Sequence, residues 1–132
     1  MGEYYEKMND YKKAVFYYNK SLSINPGDAY IITSLAKLYA RTDRHEQAIS
    51  LLNKALQQAP NDVTIYQTLG SIYTETRDYD EALNAFKKAI ELEPDNSRNY
   101  NGMGKVYFKE KLNLAEAVKC FKKAIEINPQ DP

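Results

Sequence analysis

Apolar residues recur along this chain in steps of three and four, and prolines interrupt them at regular intervals. Between Val63 and Thr76 they fall at Ile65, Tyr66, Leu69, Ile72 and Tyr73, the spacing that lines one face of an α-helix. A second stripe starts at Tyr79 and runs through Ala82, Leu83, Phe86, Ala89 and Ile90. Asp78 stands at its start with Glu81 three residues on, the arrangement of an N-cap and its capping-box partner. Asn113 with Glu116 repeats that pair, and Asp10 is a similar cap. Pro94 has no N–H to donate and its ring clashes with the preceding turn, so the second helix stops before it. The pattern predicts two helices joined by a short turn.

The two-helix unit recurs. Pro26, Pro60 and Pro94 are spaced by 34 residues, and Pro129 follows after 35. Tyr5, Tyr39, Tyr73 and Tyr107 keep the 34-residue period without exception. Between them lie Ala14, Ala48, Ala82 and Ala117, each followed by a large group at Tyr18, Leu52, Phe86 or Phe121. A small residue then returns at Ser21, Ala55, Ala89 and Ala124. The extra residue of the last unit falls between Tyr107 and Ala117, with Lys111-Leu112 the expected place. Gly2, Ala36, Gly70 and Gly104 precede the periodic tyrosines by three. Glycine inside a helix costs roughly 1 kcal/mol against alanine, so its recurrence implies that a larger side chain would meet a partner helix. The alanines at 14, 48, 82 and 117 are the expected opposing surface. One unit cannot bury its own apolar face, whereas stacked units share a continuous core. An all-α chain of tandem helix pairs is the expectation.

Composition narrows the function. The 132 residues suit one domain, and 43% hydrophobic with 27% charged residues fits a globular chain. Lys plus Arg is 18 and Asp plus Glu is 18, so the basic excess that drives phosphate-backbone binding is absent and nucleic acid is not an expected partner. No apolar run approaches the ~20 residues that span a bilayer, and the Met-Gly-Glu-Tyr-Tyr-Glu start does not read as a signal peptide. Membrane insertion is therefore not expected. The single cysteine, Cys120, favours a reducing compartment, and a cytoplasmic location is expected. Cys120 has no local histidine, so it reads as a helix-face residue rather than a nucleophile. His45, the one histidine, precedes a second helix where Tyr11, Tyr79 and Leu114 stand in the sister units, which points to packing. A zinc site lacks ligands, and no phosphate-binding loop, GxGxxG or GxSxG pattern occurs. No enzyme activity, cofactor or metal is expected. The phase of the tyrosines places them at a helix–helix seam rather than on a base-stacking surface.

These residues resemble the tetratricopeptide repeat. The third unit carries Tyr66, Leu69-Gly70, Tyr73, Ala82, Phe86, Ala89 and Pro94, and the fourth carries Tyr100, Met103-Gly104, Tyr107, Ala117, Phe121, Ala124 and Pro129. The second has Ile32, Leu35-Ala36, Tyr39, Ala48, Leu52, Ala55 and Pro60, and the first matches from Gly2 and Tyr5 through Pro26. The dominant 34-residue period and the neutral charge separate the chain from a neighbouring 35-residue repeat family that reads RNA. The resemblance implies a right-handed superhelical solenoid of antiparallel helix pairs, about seven full helices plus a truncated first one. It sets one array over 1–132, with repeats near 1–28, 29–62, 63–96 and 97–132. The short first repeat and the lack of a closing helix suggest a segment of a longer array.

The family's first helices line a concave groove that binds peptides or helices of partner proteins, so an adaptor or scaffold function is implied. Carried onto this chain, the groove positions are Tyr30, Thr33, Ser34, Lys37, Ala40 and Arg41 in the second repeat. The third gives Thr64, Gln67, Thr68, Ser71, Thr74 and Glu75, and the fourth Arg98, Asn101, Gly102, Lys105, Phe108 and Lys109. Glu3, Glu6 and Lys7 come from the first. Thr33, Gln67 and Asn101 form an expected polar ladder, and the basic fourth repeat suits an acidic segment. The family's carboxylate clamp is absent, since the aligned residues are Thr33, Lys37, Thr68, Arg98 and Gly102. Its asparagine ladder is absent too, because Ser34, Thr68 and Gly102 stand there. The alternative function is a structural segment that self-associates end to end. Its basis is the last helix, whose Ala117, Val118, Phe121, Ala124 and Ile125 face would lack a following helix.

Overall fold

The computed structural model describes residues 10–110 and 113–129. Among these residues there are seven helices and no strand: α1 Tyr11–Ile24, α2 Ala29–Arg41, α3 His45–Gln58, α4 Val63–Glu75, α5 Tyr79–Leu92, α6 Ser97–Glu110 and α7 Leu114–Ile127. Tyr5, Gly2 and the insertion at Lys111-Leu112 lie outside the described residues.

The ends of the helices follow from local chemistry. Each second helix stops two residues before a proline, with Asn25, Ala59, Glu93 or Asn128 leaving the helical region. The N–H of each donates to the carbonyl of Ser21, Ala55, Ala89 or Ala124, the row of small residues seen in the sequence. At the other end, the Asp10 carboxylate accepts from the Lys13 N–H. Asp28 and Asp62 cap α2 and α4 in the same way, which the sequence pattern had not singled out. Two expected caps are corrected. Asp78 and Asn113 occupy N-cap positions but make no side-chain cap bond. The Asp78 carboxylate instead accepts from the Thr76 hydroxyl at 2.6 Å. The turns between paired helices contain Asp43 at φ 64° and Arg77 at φ 66°. A non-glycine residue pays roughly 1–2 kcal/mol for that left-handed conformation. The Arg44 and Asp78 N–H groups that follow donate to the carbonyls of Tyr39 and Tyr73 at 2.8 Å.

The chain divides into two compact units, Met1–Ile65 and Tyr66–Pro132. The first has a core of Ala14, Tyr18, Leu35 and Leu38, with Tyr39 packed against it. The core of the second is Ala82, Phe86, Met103, Val106 and Cys120, flanked by Tyr73, Tyr79, Leu83, Ile90 and Tyr107. The described periodic tyrosines are thus half-buried packing groups, consistent with their phase.

Close packing in the second unit centres on Phe86. A Cβ built on Gly70 of α4 would stand 2.6 Å from the Phe86 ring, and one on Gly102 of α6 would also run into that ring. A Cβ on Gly104 would stand 2.7 Å from the Phe121 ring. Close approach does explain these glycines, but the opposing surface needs correction. The nearest atoms belong to the aromatic rings of Phe86 and Phe121, not to Ala82 or Ala117. An aromatic plate lies flat enough for a hydrogen and too close for a methyl.

On α7, Ala117, Cys120 and Ala124 are buried, whereas Leu114, Val118 and Ile125 are 54%, 50% and 57% exposed. They continue the positions of Tyr79, Leu83 and Ile90, which are packed against the core of the second unit.

Candidate functional site

In the first unit the candidate surface is one side of α2. Tyr30, Lys37 and Arg41 are exposed and Ser34 is half-buried. Thr33 is not accessible. It is 4% exposed, and its hydroxyl donates to the carbonyls of Ala29 at 2.9 Å and Tyr30 at 3.1 Å. Ala40 is buried as well. Glu3, Glu6 and Lys7 lie outside the described residues.

In the second unit α4 and α6 contribute unlike faces. On the part of α4 that belongs to this unit, Ser71 and Glu75 are exposed, but Thr68 is 4% and Thr74 7% exposed; Thr64, exposed as well, falls in the first unit. The Thr74 hydroxyl donates to the Gly70 carbonyl at 2.6 Å. Gln67 is half-buried, and its Nε2 donates to Asn99 Oδ1 at 2.6 Å. The expected ladder of Thr33, Gln67 and Asn101 is therefore not a row of equivalent free groups. Thr33 satisfies itself on its own helix and Gln67 is engaged inside the unit. Asn101 remains half-buried on α6.

Asn99 is the structural residue that sequence reasoning missed. It is fully buried, accepts from Gln67, and donates through Nδ2 to the Glu93 carbonyl at 3.1 Å. A buried amide must have such partners, because leaving it unpaired costs free energy. The signal was present: Asn99 occupies the row filled by Ile31 and Ile65 in the sister repeats.

The α6 face is different. Arg98, Lys105, Phe108 and Lys109 are all exposed, Phe108 at 61%. Gly102, expected beside them as a groove residue, is instead committed to Phe86. Four lysines elsewhere have local partners, Lys13 with Asp10, Lys88 with Glu91, Lys119 with Glu116 and Lys123 with Glu126, at 3.3–3.9 Å. Among the described residues, Arg98, Lys105 and Lys109 form no ion pair with a carboxylate. This face is an accumulation of positive charge around an exposed ring.

Burial pushes the Cys120 thiol above its ordinary pKa of 9.0, and Glu116 adds to the effect, so the nucleophilic thiolate is disfavoured. Burial likewise raises the Tyr107 hydroxyl, with Cys120, Glu116 and Glu110 contributing. His45 is half-buried at the start of α3, with Nδ1 3.5 Å from an Asp43 carboxylate oxygen. No group of three or more metal-ligating side chains occurs among the described residues, and no helix there is long and apolar enough to cross a membrane.

Tandem helix pairs with shared apolar seams, and exposed polar faces on the first helix of each pair, define an all-α repeat protein of the interaction class. The chain belongs to the tetratricopeptide repeat family, whose profiles match residues 27–95, 73–132 and 1–28. Solved structures agree. A crystal structure of MamA shares 25% identity and a TM-score of 0.78, covering 98% of this chain and 75% of that one. The pilF protein of Pseudomonas aeruginosa shares 25% identity with a TM-score of 0.83, and the match covers 99% of this chain and 60% of pilF. MamA from Desulfovibrio magneticus RS-1, at 22% identity and a TM-score of 0.79, shares the fold over 100% of this chain and 75% of its own. Among curated proteins no sequence matches. The chain is a protein-interaction scaffold module of a family that is typically non-catalytic.

Proposed function

We propose that this protein is a non-catalytic adaptor that binds a peptide or helical segment of a partner protein on the exposed faces of its first helices. The strongest such face is that of α6, and its chemistry favours an acidic segment. The observation that carries the reading is the set of Arg98, Lys105 and Lys109 on one face, without carboxylate partners among the described residues. Like charges at i and i+4, as at Lys105 and Lys109, repel slightly, and an anionic partner removes that repulsion. The neutral net charge supports a local protein contact over a nucleic-acid track. The lone, buried Cys120 suits a reducing compartment such as the cytoplasm.

The test is affinity capture with the wild-type chain beside a Lys105→Glu/Lys109→Glu variant. Partners held by the first and lost from the second are ligands of α6. If the same partners are recovered with both, the reading fails.

A second reading has its own observation. Leu114, Val118 and Ile125 leave an apolar stripe on α7 open, and such a stripe supports self-association through the terminal repeat. Light scattering over a range of concentrations decides it. A monomer at high concentration removes this reading and leaves the first intact.

A further inference from the structure

We infer that Phe108 is an apolar anchor, and that the segment bound on α6 is acidic and carries one large apolar side chain set among its carboxylates. This rests on the reading of α6 as a protein-binding face and names the chemistry of its ligand.

Phe108 breaks the pattern of its own position. The sister residues one and two repeats earlier are Thr74 and Ala40, both small and buried at 7% and 8% exposure. Phe108 is 61% exposed, so its ring fills no interior space. It is also placed differently from the exposed apolar groups of α7. Those lie in a row of their own kind, whereas Phe108 stands among cations. Lys105 is one turn before it and Lys109 is next to it, with Arg98 seven residues before Lys105 on the same side of the helix.

The two features are complementary in what they supply. Exposed ion pairs are individually weak and screened by salt, so the cations alone give direction and sign but little hold. The ring gives apolar area without selecting a charge. A ligand that meets both places carboxylates beside a hydrophobic residue. The aromatic ring beside cations also invites comparison with a base-stacking surface, but three cations in a chain of zero net charge make a poor phosphate track.

Fluorescence anisotropy on the whole chain tests this with four labelled probes. They are a short Glu/Asp peptide with a central Leu, the same peptide with Ser for Leu, the Leu peptide with its acids amidated to Gln/Asn, and a single-stranded oligonucleotide. The Leu-containing acidic peptide is expected to bind about tenfold more tightly than its Ser counterpart, the factor that burying part of one aliphatic side chain supplies. Phe108→Ala should erase that preference while leaving the weaker binding of the Ser peptide unchanged. Lys105→Gln/Lys109→Gln should weaken both acidic peptides, and the amidated peptide should fail to bind. Equal binding of the Leu and Ser peptides, or indifference to Phe108→Ala, overturns the anchor and leaves the acidic face standing. If neither acidic peptide binds, or the oligonucleotide binds in preference, the anchor and the reading of α6 fall together. Because Phe108 is exposed, its replacement leaves the core untouched, and circular dichroism confirms that the helices persist.

Discussion

Helices α4 and α6 are sister elements, 34 residues apart and built on the same apolar row, yet they use their polar residues in opposite ways. On α4 they turn inward. Thr68 and Thr74 are buried, Thr74 bonds its own helix, and Gln67 reaches to Asn99. On α6 the charged groups point outward and an aromatic ring joins them, while Ser97 and Asn99 are buried and Gly102 lies against Phe86. A repeat fixes what its neighbours require and leaves the remaining positions for a partner. The difference teaches that a position facing outward in one repeat can be interior in the next, so the period alone does not define a binding surface.

The largest expected effect breaks the packing that both helices share. Phe86 lies against Gly70 and Gly102. Gly102→Val should lower stability in urea denaturation by about 1–3 kcal/mol, the usual cost of overpacking. Phe86→Leu in that background should return part of the loss, a coupling that a double-mutant cycle reads directly. Additive effects would show that the ring is not the obstacle.

A smaller loss is expected at the polar link. Asn99→Ala leaves the half-buried Gln67 amide without its partner and removes one of two donors to the Glu93 carbonyl, which still accepts from the Asn96 N–H, at a cost of about 0.5–1.5 kcal/mol. Thermal unfolding should show this loss, and Asn101→Ala on the neighbouring, half-buried position should not.

The turn that closes α4 gives a modest change of opposite sign. Arg77 holds φ 66°, and Arg77→Gly removes the left-handed strain while adding unfolded-state entropy. The net gain should be about 0.5 kcal/mol. The smallest effect belongs to α6. Lys105→Gln/Lys109→Gln should leave stability within about 0.5 kcal/mol of wild type, as for surface groups outside a structural network. A clear destabilisation there would mean that these lysines serve the fold rather than a partner.

Much of the fold was legible in the sequence because packing repeats with the chain. Pro26, Pro60, Pro94 and Pro129 mark the ends of second helices, and the described tyrosines of the 34-residue ladder lie against the cores. The faces were less legible. Thr33 and Thr68 are polar by type but buried by position, and a hydroxyl that bonds its own helix carries no outward sign of it in the sequence. Gly102 looked like a groove residue because of its place in the repeat, whereas its role is set by a ring sixteen residues before it. The caps at Asp78 and Asn113 had the right residue types, but a side chain's choice between a helix N–H and a nearby hydroxyl is a matter of local geometry.

The most direct measurement compares the affinity of a captured partner segment for three chains: wild type, Lys105→Glu/Lys109→Glu on α6, and Thr64→Glu/Ser71→Glu on the exposed positions of α4. If the α6 face holds the ligand by charge, the first variant loses binding by tenfold or more, which corresponds to about 1.4 kcal/mol. The α4 variant should stay close to wild type. Equal affinity of the wild type and the α6 variant, or an equal loss in both variants, would contradict the assignment of binding to α6.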